Sequence, residues 1–217
     1  MTRFFKICAC FQDDWPKQKI VFRAGICLNG RMFCRHGKSV NNLIHWDDPF
    51  SEEFGNGMVY RQFAVGSTLY AVGFEQILTM DDFTRKGVNI LNVHPAFRFP
   101  QNGVWGVIFD EIDPIQMDFK GFQHVQHQGL AGGQVLMNVA SIIIDHYTVC
   151  NAGAYVFSAA DDHQHLRRTD LADIYCKLLG LNGERKSRLF DKGFPGWEAY
   201  CDVPTGGRGY VVTTESY

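Results

Sequence analysis

The 217-residue sequence lacks an excess of either charge: 21 Lys and Arg stand against 23 Asp and Glu, a formal net charge of −2. A dedicated binder of nucleic acid or anionic membrane rests on a strong positive field, so near-neutrality argues against that class without excluding a local basic patch. Long apolar runs are lacking too. The longest, around Val139 to Ile144, falls far short of the roughly 20 residues that a bilayer span needs. The start of the chain meets Lys6 and then Asp13-Asp14 too soon for the apolar region of an export signal. A cytoplasmic protein with reduced thiols is the expectation. The seven cysteines are odd in number, and Cys8-x-Cys10 is their one close pair. That spacing suits buried thiols on strands rather than a four-ligand metal site on Cys8, Cys10, Cys27 and Cys34. Internal repeats and low-complexity stretches are also missing.

What is present points to a packed core. Apolar residues make up 46% of the chain and phenylalanine alone contributes 18 residues, so a disordered or fibrous chain is excluded. Strand signals dominate the first half. Lys19–Cys27 and Arg31–Cys34 flank the turn pair Asn29-Gly30, and Met58–Gly73 reads as a hairpin with Gly66-Ser67 at its tip. Phe74–Thr84 holds room for a short helix, while Val88–Val93 and Val104–Ile112 read as strands, the latter ended by Asp113-Pro114. From Asp118 the texture changes. Asp118–Val125 reads as a strand and Gln134–Tyr147 as an amphipathic helix, with Val135, Val139, Ile143 and Tyr147 on one stripe. Ala154–Ala159 is a short buried-strand pattern. Thr169 or Asp170 caps a second helix that closes near Gly180, and Gly209–Thr213 is a last strand. The expected fold is α+β, one mixed, mostly antiparallel central sheet with flanking helices. Residues 1–217 form a single domain in this reading, with 1–50 as a strand-rich N-terminal extension.

The most informative segment is Gln126–Tyr147. A polar, glycine-bearing turn that opens into a helix leaves several backbone N–H groups without intrahelical partners. With the helix dipole they suit a phosphate or pyrophosphate, and Gly129, Ala131, Gly132 and Gly133 give clearance for close approach. The same residues also suit an ordinary strand-to-helix turn.

Gln126-His127-Gln128-Gly129-Leu130-Ala131 is similar to the Q/R-x-x-G-x-G/A signature of the GCN5-related N-acetyltransferases (GNATs). The helix, short strand and second helix that follow resemble the order of that family. Ile174-Tyr175-Cys176-Lys177-Leu178-Leu179-Gly180 resembles its F-Y-x-K-L-G ending, with Leu179 as one extra residue. The lead-in Gly121-Phe122-Gln123-His124-Val125 departs from the family's V-x-P-x-Y. The resemblance implies acetyl-CoA as co-substrate, its pyrophosphate on the amides of Val125 through Ala131. It implies transfer of the acetyl group by direct attack of a primary amine of unknown identity, and Tyr175 as the acid that protonates the departing thiolate. A base is also required to make the amine neutral. Glu111, on its strand, and His124, just before the turn, are the candidates. The alternative reading keeps the fold and loses catalysis, leaving a binding or structural module.

Two further clusters compete for a role. Asp161-Asp162-His163-Gln164-His165 carries metal-ligand chemistry, but no further ligands are visible, so a polar loop is favoured and no metal is expected. Cys150, Cys176 and Cys201 occur with His146, the raw material of a cysteine nucleophile, without a local signature around any of them.

Overall fold

The computed structural model describes residues 43–44, 58–85, 89–113, 115, 118–120, 130–160 and 170–217. The strands expected at Lys19–Cys27 and Arg31–Cys34 lie outside the described residues, as does most of Asp118–Val125. Within them the chain runs β1 (Leu43–Ile44), β2 (Met58–Val65), β3 (Thr68–Ile77), α1 (Met80–Arg85), α2 (Ile90–Val93), β4 (Val104–Asp113) and β5 (Asp118–Phe119). Then follow α3 (Leu130–Cys150), β6 (Ala154–Ser158), α4 (Leu171–Leu179), α5 (Arg188–Gly193), β7 (Glu198–Cys201) and β8 (Gly209–Thr213). The strands form one mixed sheet in the order β1-β2-β3-β4-β6-β8-β7, with β5 paired to the end of β4. This is the α+β arrangement the sequence predicts. No described helix is long and apolar enough to cross a membrane.

The β2–β3 hairpin turns where Gly66-Ser67 predicts it. Val65 pairs with Thr68, and Gly66 takes φ +62° at the first of the two loop positions. A two-residue turn that follows strand twist requires positive φ there, which glycine adopts without strain. Two elements differ from the sequence reading. Phe74–Ile77 continues β3, and the helix expected in that stretch starts only at Met80. Ile90–Val93, within the stretch Val88–Val93 expected as a strand, is the helical turn α2 instead. Its buried residues are Ile90 and Val93, three apart, while Leu91 and Asn92 are exposed; that is a helical face, and alternation would have buried Asn92.

Alternation along the strands feeds two cores. Phe63, Tyr70, Val72, Phe74, Tyr155, Tyr210 and Val212 share one core with Val135, Ala140 and Ile142 of α3 and Cys176 and Leu179 of α4. Ile77, Val104, Ala154, Val156 and Val211 face the other way, onto Phe83, Ile90, Val93 and Phe97. A sheet covered on both faces explains why β6 and β8 read as unbroken apolar runs.

The β4–α3–β6 unit contains the one parallel pair among the described strands. Gly153 introduces β6, and a Cβ there would sit 2.4 Å from Pro100 Cβ, so only glycine fits. α4 starts as Asp170 predicts: its carboxylate accepts from Ala172 N–H at 3.0 Å, capping the first turn. Gly180 ends the helix in the left-handed region.

Candidate functional site

Where β4 and β6 part, some backbone groups find no strand partner among the described residues. Gly103 C=O accepts from Gly153 N–H at 3.0 Å and from Ala154 N–H at 3.4 Å. Successive residues of a strand address opposite neighbours, and the β3–β4 register is unbroken from Ile77↔Val104 to Tyr70↔Glu111. Odd-numbered residues of β4 therefore direct their N–H and C=O groups to the β6 side. The parallel ladder, however, ends at Gly106↔Val156, while β4 runs on to Asp113 and β6 to Ser158. Past that rung, Val107 C=O and both backbone groups of Phe109 face the parting edge from β4, and Ser158 faces it from β6. Among the described residues no strand fills this edge before Lys120, whose N–H donates to Glu111 C=O at 2.9 Å. An open strand edge of this kind accepts an extended, amide-bearing ligand by the hydrogen bonds a strand would make.

Side chains frame both arms of the opening. On the β6 arm Phe157 stacks on Tyr210 of β8 at 5.1 Å, and Tyr175 of α4 meets both rings edge-on, at 5.4 and 5.6 Å. Tyr175 is half-buried, its ring packed against the core. On the β4 arm Phe109 stacks with Phe63 and Tyr70. Glu111 follows two residues later on the same face, buried and bonded to the Lys120 ammonium. That bond is the main reason the Lys120 amine is held protonated above its ordinary range. The Tyr70 hydroxyl is pushed up to about 12, by burial first and by the Glu111 charge second.

The other end of the same strand pair is sealed. His146 is fully buried, its ring stacked 3.9 Å from Phe74 and edge-on to Trp105 at 4.6 Å. Its Nδ1 lies 2.9 Å from Tyr155 Oη, and Nε2 lies 3.4 Å from Cys150 Sγ. The geometry is that of a cysteine–histidine pair, but the electrostatics run against one. Burial, helped by the Arg61 charge, pushes the His146 imidazole down to about 3, and burial pushes the Cys150 thiol up. Both groups stay neutral, whereas a nucleophilic thiolate needs the opposite shifts.

The expected site residues divide accordingly. Tyr175 and Glu111 stand on the two arms of the opening. Leu130 and Ala131 begin α3, and a crossover helix returns against the strands it joins, so that first turn lies toward the end where β4 and β6 part. His124, Val125, Gln126, His127, Gln128 and Gly129 lie outside the described residues. So does Asp161–His165; among the described residues no three His, Cys, Asp or Glu side chains gather as a metal site. The open backbone edge was not foreseen. Its only sequence signal is that β4 is twice as long as β6, with 10 residues against 5. Comparison with protein-family models, curated proteins and solved structures gives no significant match.

Proposed function

We infer that the chain is an acetyl-CoA-dependent N-acetyltransferase of the GNAT type, acting on a primary amine. The observation that carries this reading is the parallel pair β4–β6 parting after Gly106↔Val156, joined by a helix that begins within the Gln126–Ala131 signature. The pantetheine arm of coenzyme A is linear and carries amides, the chemistry that the edge at Val107 and Phe109 accepts. The pyrophosphate would rest on the Gln126–Ala131 segment at the start of α3, since the N–H groups of a helix's first turn and the helix dipole favour an anion.

In this reading the neutral amine attacks the thioester carbon, and the carbonyl oxygen takes the negative charge next to a backbone N–H. The C–S bond then breaks, the sulfur leaves with the electron pair, and Tyr175 supplies its proton. Glu111 or His124 removes a proton from the amine, directly or through water. The bond from Lys120 to Glu111 supports a second reading, since a carboxylate oxygen already holding an ammonium is engaged and not free to take an amine proton. In that reading the fold binds its ligand without turnover.

Acetyl-CoA is expected to raise the melting temperature, by about 2.7 kcal/mol of added stability at one hundred times Kd. Gly129→Trp should abolish the shift. No shift at millimolar acetyl-CoA would sink the acetyltransferase reading. A shift with no release of free thiol from any amine tested would select the binding module.

A further inference from the structure

Beyond the residues that frame the opening, one half-buried cation reaches across three elements to the helix that carries Tyr175. We propose that Arg208 is the positioning residue for Tyr175, fixing α4 against β6 so that the phenol is held at the opening; this rests on the acetyltransferase reading above. Arg208 lies just before β8. Its Nε donates to Ala159 C=O at 2.9 Å and its Nη2 donates to Ala160 C=O, holding the exit of β6. Its Nη1 donates to Asp170 Oδ2 at 2.8 Å, and Nη2 reaches Asp170 Oδ1, a two-pronged grip on the residue that caps α4. The Asp170 carboxyl is held below its usual range chiefly by that guanidinium.

The next residue on the same face of the chain, Tyr210, continues the attachment. Its hydroxyl donates to Ala172 C=O at 3.0 Å, in the first turn of α4, and its ring meets Tyr175 edge-on. Arg208 and Tyr210 thus hold two successive points, Asp170 and Ala172, one turn before Tyr175. Only a planar fork matches two carbonyls and a carboxylate at once, so lysine cannot replace it. A proton donor must lie within hydrogen-bond reach of the departing sulfur, and a shift of the helix by about 1 Å is enough to spoil that reach.

The test uses the full chain with acetyl-CoA and three primary amines: benzylamine, spermidine and a short peptide with a free amino terminus. Arg208→Met should lower kcat about tenfold or more, as a misplaced catalytic group does, while KM for acetyl-CoA stays within about twofold. On a Tyr175→Phe background, where no phenol remains to be placed, Arg208→Met should lower kcat no further. Asp170→Asn, which keeps the helix cap and weakens the ion pair, should reproduce a smaller part of the effect and stands in if Arg208→Met does not fold. Wild-type turnover in Arg208→Met, or an equal loss on both backgrounds, would overturn the positioning role and leave acetyl transfer intact. A wild-type chain that binds no acetyl-CoA would bring down the acetyltransferase reading and this role with it.

Discussion

The two ends of the β4–β6 pair carry similar residue types and opposite chemistry. At the closed end, His146, Tyr155 and Cys150 lie in hydrogen-bond contact under Phe74 and Trp105. At the open end, Tyr175 and Glu111 stand beside backbone that no described strand uses. Burial makes the difference. It disfavours every charged form at the closed end, so histidine, thiol and phenol all remain neutral there. The open end keeps its ions in pairs, Glu111 with Lys120 and Asp170 with Arg208, at the border with solvent. A cluster of reactive residue types is therefore no guide to reactivity until its access to water is known.

Breaking the closed end should cost the most. Phe74 is fully buried and stacks on His146, so Phe74→Ala is expected to destabilise by about 3–5 kcal/mol. Phe109, half-buried on the open arm, should lose roughly half as much or less in Phe109→Ala. Urea unfolding of the two variants measures both, the midpoint shifting without a change in slope. Equal losses would show that the two ends are packed alike and remove the contrast.

Acid sharpens the same contrast. The folded chain protonates His146 only near pH 3, and the unfolded chain does so near 6.5. Between those values the unfolded state binds more protons, so stability is full above 6.5 and is lost as pH falls toward 3, by about 1.4 kcal/mol per pH unit. His146→Gln should lower stability at neutral pH yet flatten this slope by about one proton. A wild-type slope that the substitution leaves untouched would mean that His146 is not sealed.

Local signals made much of the fold legible. Gly66-Ser67 marked the first hairpin, Asp170 and Gly180 marked both ends of α4, and Gly209–Thr213 fell on β8. Elements whose burial is decided by distant partners were harder. Val88–Val93 carries strand-forming residues, and only the surface that Ile90 and Val93 meet, under Phe83 and Phe97, makes Ile90–Val93 a helical turn. Helix α5 and strand β7 were missed. Their anchors, Phe190 and Trp197, read as core aromatics with no period over so short a span. Of the candidate site, Tyr175 and Glu111 were legible as residue types, but their placement on two arms was not. The parting of β4 from β6 is a matter of register between strands whose partners lie 50 residues apart, as Val104↔Ala154 shows, and no local pattern encodes it.

The smallest expected effect tests the cysteine directly. Cys150 is partly exposed, so access alone does not protect it; its protection comes from a thiol held neutral by burial beside a histidine that is also neutral. Alkylation requires the thiolate, and its rate follows the thiolate fraction. Native Cys150 should thus react more slowly at mildly alkaline pH than the same residue in denaturant, as peptide mass mapping after timed iodoacetamide exposure would read. Slow reaction that speeds with rising pH fits two neutral partners. Fast reaction that persists into acid would signify a thiolate–imidazolium pair at the closed end, and the chemistry of this chain would then have to be sought there rather than where β4 and β6 part.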